Sequence, residues 1–210
     1  MIFNQYIKEW RLAYFIHAML VAMAVLAVSS PSFSKDQLSS TSFYNNFKNV
    51  QFTDQNNHNF EINSLIGKVT LFSFIYTQCS SVCPVQTKSL SEILKSLPKN
   101  VQGNVQFVSI SLDPRNDTPE KLKSFAKRMN AEASNWAFLT GDPANIERIS
   151  NALRLFGNPA LNKDKVIVRP NDHTTGLWLI DKHGELMMQH RGNPIDGKRI
   201  ASELSVLAAN

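Results

Sequence analysis

The sequence is poor in cysteine, and it lacks basic clusters, internal repeats and low-complexity tracts. Only two cysteines occur in 210 residues, so the chain is not one of the small secreted scaffolds that depend on several disulfides. The formal net charge is a mild +5, and no basic run carries interleaved aromatic residues, which argues against nucleic-acid binding. The absence of a fixed repeat excludes solenoids and propellers. With 43% hydrophobic and 19% charged residues, the composition is that of an ordinary globular domain.

Residues 1–34 have the layout of an export signal. Lys8 and Arg11 precede an apolar run of 17 residues at 12–28, and small residues with a proline follow it. The run is long for a cleaved signal and short for a membrane-spanning helix, which needs about 20 residues. A signal peptide and an uncleaved anchor therefore both stay open, and either predicts that the rest of the chain lies outside the cytoplasm. No cysteine follows the run, so a lipid-modified start is not indicated.

Residues 35–49 are polar and rich in serine and asparagine, which predicts a linker before one domain at 50–210. Alternating residues at 50–65 predict a β-hairpin. Nearly continuous apolar runs at 68–77 and 105–112 predict strands that are buried on both faces. The remaining predicted elements are strands at 136–140, 174–180 and 185–190, a short candidate strand at 166–168, and helices at 85–97, from 117, from 142 and at 195–209.

This order of elements predicts an α/β domain with a mixed sheet. Strands that alternate with helices form parallel βαβ units, and the final hairpin adds antiparallel strands, so helices should cover both faces. The thioredoxin-like fold is built in this way, here with an N-terminal β-hairpin extension. Sites in such sheets lie at the carboxyl ends of strands. The segment CSSVCP, residues 79–84, follows the first buried strand directly and occupies that place.

The two cysteines, Cys79 and Cys83, could form a disulfide, a redox pair or part of a metal site. A structural disulfide between them would close too short a loop to add much stability. Redox motifs of this fold usually have two intervening residues rather than three, which does not exclude such a role. Two thiolates also favour Cu(I) or Zn. Pro84 is expected in the first helical turn, which would place Cys83 near the positive end of a helix and favour its thiolate.

A metal ion held by two thiolates needs a further ligand, and an imidazole is the natural candidate. Four of the five histidines are expected to be solvated or to lie in the export segment: His17, His58, His183 and His190. His173 differs, because it stands at the entry to a predicted core strand, where this fold brings a loop against the cysteine loop. Asp172 could orient that imidazole through a hydrogen bond.

Other residues invite a functional reading but also have structural explanations. Asp113 lies at the end of a predicted strand and could border the site, although a turn at Asp113 and a helix cap at Asp117 explain the pattern as well. Either Asp117 or Thr118 could cap the helix. Met187 and Met188 carry soft ligand atoms, but adjacent strand residues point to opposite faces, so core packing explains them better.

Three blocks of the sequence resemble, in order, the signatures of one known family. FIYTQCSSVCPVQTKSL at 74–90, SISLDPRNDTPEKLKSFAKRM at 109–129 and DHTTGLWLIDKHGELM at 172–187 are similar to blocks of the Sco/SenC family of copper-binding assembly proteins. The likeness extends from residue 50 to residue 207. A lone C-x-x-x-C would be a weak signal, whereas three ordered blocks are a strong one.

The resemblance implies a thioredoxin-like copper chaperone on the periplasmic side of the inner membrane, tethered by its N-terminal segment or released. Carried to this sequence, the ligands of one copper ion, Cu(I) or Cu(II), are Cys79, Cys83 and His173. Expected partners are the copper-site subunit of a terminal oxidase, above all cytochrome c oxidase, or another copper enzyme, together with other copper carriers. Family members deliver copper, keep the cysteines of their target reduced, or both.

Two departures from the family pattern leave the ligands untouched. Gln78 stands where many members have histidine, and Ser80 and Ser81 replace the usual Pro-Asp, which makes the loop less negative. The alternative function is an exported thiol–disulfide oxidoreductase that cycles the two cysteines without metal. A sensor is less well supported, because no separate output element is present. Substitution of His173 would distinguish the two functions, because an oxidoreductase would tolerate the substitution and a copper carrier would not.

Overall fold

A computed structural model describes residues 42–157 and 175–209. Within them, seven strands form one sheet in the order β2-β1-β5-β4-β3-β6-β7. The strands are β1 Gln51–Asp54, β2 Asn59–Glu61, β3 Val69–Ile75, β4 Val105–Ser111, β5 Trp136–Gly141, β6 Gly176–Ile180 and β7 Leu186–Arg191. The export segment and the candidate strand at 166–168 lie outside the described residues.

Helices connect most of these strands. The α-helices are α1 Val82–Ser96, α2 Lys99–Gln102, α3 Pro119–Arg128, α4 Pro143–Gly157 and α5 Gly197–Ala209, and two short 3-10 helices span Phe43–Phe47 and Ile62–Leu65. In the described part of the chain, no helix is both long enough and apolar enough to cross a bilayer.

The sheet is mixed, as the sequence predicts. Strands β3, β4 and β5 run parallel, while β1 pairs antiparallel with β2 and with β5. Strand β6 pairs antiparallel with β3 and forms a hairpin with β7. Every residue of β3 and β4 is buried, which explains why both read as continuous apolar runs.

Helices and aromatic side chains cover both faces of the sheet. On one face, α1, α3 and α5 contribute core residues such as Leu90, Phe125 and Leu204. On the other face, the 3-10 helices and α4 contribute residues such as Phe43 and Ile149. The cysteine loop belongs to the first of these faces, because Cys79 and Cys83 pack into the same cluster as α1.

The predicted linker at 35–49 is wrong over residues 42–49. Phe43, Tyr44 and Phe47 are buried against the sheet. The Tyr44 hydroxyl donates to Thr70 Oγ1 at 2.9 Å, and the Phe43 amide donates to the Gly184 carbonyl at 2.8 Å. The polar composition of this stretch conceals three aromatic residues that contribute apolar surface to the core. The domain therefore begins before residue 50.

Candidate dithiol and metal site

The cysteine loop emerges at the carboxyl ends of two parallel strands. Ile75, the last residue of β3, pairs with Ser111, the last residue of β4, and the chain then turns through residues 76–81 into α1. The Cys79 amide closes the first turn of this loop by donating to the Tyr76 carbonyl at 3.1 Å. The site thus occupies the place that open α/β sheets use for function.

Helix α1 begins at Val82, three residues earlier than the sequence predicts. Cys83 and Pro84 therefore lie within its first turn. The Ser81 side chain makes no capping hydrogen bond. Instead, the Cys83 amide donates to Cys79 Sγ at 3.4 Å, so the sulfur accepts from one of the amides that are free at a helix start. The sequence pattern did not reveal this earlier start of the helix, because the group that accepts from the helix amide is a thiol rather than one of the usual capping side chains.

The two thiols have opposite acid–base properties. Burial alone would raise the pKa of the Cys79 thiol, but hydrogen bonds from the Cys83 and Ser81 amides outweigh it and lower this pKa to about 7. Burial raises the pKa of Cys83 to about 12, and the adjacent Cys79 sulfur adds to the rise. The prediction that the helix start favours the Cys83 thiolate is therefore wrong. The Ser81 and Cys83 amides at the start of α1 donate to Cys79, so that sulfur gains the stabilisation.

Tyr76 is a site residue that the sequence reasoning missed. A hydrogen bond from its side chain to Cys79 contributes to the low pKa of that thiol. Burial and this contact raise the pKa of Tyr76 to about 12, so the phenol is protonated and able to donate at neutral pH. The only signal in the sequence was a tyrosine three residues before a cysteine, which has many structural explanations.

The two aspartates of the second block have different roles. Asp113 forms the predicted turn, since its carbonyl accepts from the amides of Asn116 at 3.0 Å and Asp117 at 2.8 Å. The helix cap is Thr118, whose Oγ1 accepts from the Lys121 amide at 3.4 Å. Asp117 is not the cap. Its side chain is fully buried and accepts hydrogen bonds from Thr77 in the cysteine loop and from Ser111 at the end of β4.

A buried glutamine joins α1 to the entry of β6. Gln86, one turn after Cys83, donates from Nε2 to the Thr175 carbonyl at 3.0 Å. The backbone of Gly192 packs against this bond so closely that a Cβ there would lie 1.8 Å from both Gln86 Nε2 and the Thr175 oxygen. The first turns of α1 are thereby fixed to the chain that leads into β6.

The structure places the remaining candidates as follows. His173 and Asp172 lie outside the described residues. His58 and His183 are exposed, as predicted. The prediction for His190 is wrong, because its side chain is only 9% exposed and its Nε2 lies 2.6 Å from Glu203 Oε2 on α5. This imidazole faces the helix because it is cross-strand from the buried Leu177.

The methionine pair does divide between the two faces of β7. Met188 packs against the core beneath α1 and α5, whereas Met187 is exposed, so the prediction of core packing holds for Met188 alone. The two thioethers cannot act together on one ion.

The donor set of the cysteine loop fits a soft metal ion. Both thiols are free, they are four residues apart at the start of α1, and one sulfur already accepts an amide hydrogen bond. Thiolates of this kind select Cu(I) or Zn. Within residues 42–157 and 175–209, no third His, Cys, Asp or Glu joins them to form a metal-binding group.

The fold and the site together define a thioredoxin-like domain with a dithiol at the carboxyl end of strand β3. The sequence model of the family SCO1/SenC matches residues 38–208, so the chain belongs to the SCO1/SenC family, which confirms the resemblance found in the sequence.

Individual relatives agree with this assignment. The chain is similar to a SCO1 protein homolog of Bacillus subtilis, with 32% identity over 143 residues, 67% of this chain and 71% of the relative. Among solved structures, it is similar to BsSco, a member of the Sco family of cytochrome c oxidase assembly proteins, with 29% identity, a TM-score of 0.62 and coverage of 76% and 91%. It is also similar to Bradyrhizobium japonicum ScoI with copper bound, with 29% identity, a TM-score of 0.58 and coverage of 75% and 96%.

Proposed function

We propose that this protein is a copper chaperone that binds one copper ion through Cys79, Cys83 and His173 and transfers it to a copper enzyme. The observation that carries the proposal is the pair of free thiols at the carboxyl end of β3, one of which is already hydrogen-bonded as an acceptor. A solved family member holds copper, and the two thiolates supply the soft ligands that copper prefers.

The placement of Thr175 supports His173 as the third ligand. Gln86, on the same helix as Cys83, holds the Thr175 carbonyl. His173 precedes Thr175 by two residues, and two residues of chain span at most about 7 Å. The length of chain between the two residues therefore allows His173 to supply the third ligand. An imidazole added to two thiolates gives a ligand set that suits Cu(I) and can also hold Cu(II).

The chain's own residues would bind the ion and limit its access to water. Cys79 and Cys83 are 5% and 7% exposed, so copper would sit just below the surface. Cys79 is poised to bind as a thiolate near neutral pH, whereas Cys83 must release its proton when metal binds. With three protein ligands rather than four, a partner thiolate could join the ion and take it over by ligand exchange.

The client we propose is the copper-site subunit of cytochrome c oxidase. This rests on the family, since BsSco belongs to the cytochrome c oxidase assembly proteins. The export layout of residues 1–34 supports the location, because it predicts that the domain lies on the periplasmic side of the inner membrane, where it would be tethered or released.

A thiol–disulfide oxidoreductase is the second candidate, and one observation favours it. The Cys83 amide lies 3.4 Å from Cys79 Sγ, so the first turn of α1 holds the two cysteines against each other with both thiols free. A pair of this kind could reduce a disulfide in a client by exchange, with Cys79 attacking and Cys83 resolving the mixed disulfide. This chemistry needs no histidine, which separates it from copper transfer.

The deciding experiment is a titration of the purified protein with Cu(I) and Cu(II). Wild type is compared with Cys79→Ser, Cys83→Ser and His173→Ala, and His183→Ala serves as a control because that histidine is exposed in a turn. We expect a stoichiometry of one copper per chain, loss of Cu(II) binding in the three ligand variants, and unchanged binding in the control. Cu(II) binding by His173→Ala at the wild-type level would refute the ligand set. Retained disulfide-reducing activity in that variant would then favour the oxidoreductase.

A further inference from the structure

A buried carboxylate lies beneath the cysteine loop and takes no part in capping the helix that follows it. The Asp117 side chain is fully buried, and Thr118 makes the cap of α3. A carboxylate that is removed from water is strongly unfavourable unless hydrogen bonds satisfy it. The partners of Asp117 therefore indicate what this burial achieves.

Those partners come from the ends of two parallel strands. The Thr77 amide donates to Asp117 Oδ2 at 3.1 Å and to Oδ1 at 3.3 Å, and the Thr77 hydroxyl donates to Oδ1 at 2.5 Å. The Ser111 hydroxyl, at the end of β4, donates to Oδ2. Because β3 ends at Ile75, Thr77 lies beyond the strand, and the carboxylate supplies the acceptor that the sheet no longer provides.

Thr77 is connected to the Cys79 sulfur through one short turn of the backbone. Thr77 lies inside the turn that the Cys79 amide closes on the Tyr76 carbonyl at 3.1 Å. At the far side of this turn, Cys79 Sγ accepts from the Cys83 amide. A shift of Thr77 would therefore move the turn, and the sulfur would leave the amide that it accepts from.

We infer that Asp117 is a positioning residue of the cysteine site: it fixes Thr77, and through the turn from Tyr76 to Cys79 it holds the Cys79 sulfur against the start of α1. The inference deepens the proposed function, and its relevance to copper rests on that proposal. Asp117 thereby has a role that is distinct both from copper coordination and from capping the following helix.

The test compares Asp117→Asn with wild type by amide hydrogen exchange of the metal-free, full-length protein. The carboxamide keeps the shape but loses one acceptor oxygen and the charge, and charge-assisted bonds are the strong ones. We expect the Cys79 and Cys83 amides to exchange about 10-fold faster or more. Asp181→Asn is the matched control, since Asp181 Oδ1 also accepts two amides, from His183 at 2.9 Å and from Glu185 at 2.8 Å, in the turn between β6 and β7. It should leave the Cys79 and Cys83 amides unchanged.

A milder variant keeps the test decisive if Asp117→Asn does not fold. Thr77→Val keeps the backbone donor and the side-chain volume but removes the hydroxyl donor, so it should raise the same exchange rates by about 3-fold. Wild-type exchange rates in whichever of these variants fold would overturn the inference.

A copper arm then separates this inference from the proposed function. Cu(I) affinity, measured by competition with a chelator, should fall about 10-fold in Asp117→Asn and stay at the wild-type level in Asp181→Asn. If wild type binds no copper, the proposed function fails, while the exchange rates still decide whether Asp117 positions the loop. If exchange accelerates but Cu(I) affinity is unchanged, Asp117 holds the loop without serving the copper site, and the inference is overturned in that respect.

Discussion

The two cysteines are held in contrasting ways. On the Cys79 side, the sulfur accepts amide hydrogen bonds, and a buried carboxylate at Asp117 braces the turn. On the Cys83 side, the sulfur is equally buried but has fewer hydrogen bonds that favour its thiolate, and the brace is the neutral amide of Gln86 bonded to Thr175. The side with polar donors stabilises a thiolate, whereas the other side keeps a protonated thiol. A spacing of four residues thus produces two thiols of different reactivity rather than a symmetric pair.

The largest expected effect is the difference in thiol reactivity between the two sides. Because the pKa of Cys79 is lowered to about 7 and that of Cys83 is raised to about 12, only Cys79 forms appreciable thiolate at neutral pH. Alkylation of Cys79, measured in Cys83→Ser, should rise with pH and reach half its maximum below the ordinary pKa of a thiol, because the amide hydrogen bonds to its sulfur remain. Alkylation of Cys83, measured in Cys79→Ser, should be at least about 10-fold slower at pH 7, because burial, the largest cause of its raised pKa, remains in that variant.

Urea-unfolded protein provides the control for this comparison, because both thiols should then have a pKa of about 8.5. Equal alkylation profiles of the two cysteines in the folded protein would contradict the asymmetry.

A substitution at Gly192 should break the Cys83 side alone. In Gly192→Ala, the new Cβ would lie 1.8 Å from Gln86 Nε2 and from the Thr175 carbonyl, so the backbone would have to move apart. We expect the free energy of unfolding to fall by about 2–3 kcal/mol, as overpacking usually does, measured by urea denaturation. The midpoint of Cys79 alkylation should change little, because Asp117 braces the turn from Tyr76 to Cys79 through Thr77 rather than through Gln86.

Gly103→Ala is the matched control for this prediction. A Cβ at Gly103 meets nothing within 4 Å, and its backbone is right-handed helical. The free energy of unfolding should change by less than about 1 kcal/mol. A loss in Gly103→Ala as large as that in Gly192→Ala would mean that packing against Gln86 is not the cause.

The smallest expected effect concerns the hydrogen bond between Tyr76 and Cys79. Tyr76→Phe removes the phenol donor and keeps the ring, so the Cys79 thiolate loses one of several hydrogen bonds. The pKa of Cys79 should rise slightly, and alkylation at pH 7 should slow by about 3-fold. Tyr44→Phe is a suitable control, because that buried hydroxyl donates to Thr70 rather than to a thiol. A change of the same size in both variants would count against a specific bond to Cys79.

Much of the fold could be predicted because the strands in the middle of the sheet are recognisable from their own residues. The runs that became β3 and β4 are apolar throughout, which is how strands buried on both faces read. The start of α3 was also readable, since Thr118 and Pro119 are typical of the first positions of a helix. These features depend on neighbours in sequence, so pattern alone is enough to find them.

The site was less predictable wherever its contacts are distant in sequence. Asp117 lies where a helix cap is common, and only its contact with Thr77, 40 residues away, distinguishes a brace from a cap. His190 ends a hairpin strand with alternating burial, yet α5 covers it and brings Glu203 to its ring. The helix start at Val82 depends on a sulfur acceptor, which capping preferences do not include.

The depth of the two sulfurs also affects how quickly they can meet reagents. Cys79 and Cys83 show only a small edge to solvent, so most random collisions with a bulky oxidant or a foreign metal complex would strike Ser80, Ser81 or Val85, all of which are exposed. A bulky reagent would reach the sulfurs only if its shape let it pass these side chains. Shape would therefore add kinetic selection to chemical affinity for large reaction partners, whereas small reagents would not be selected in this way.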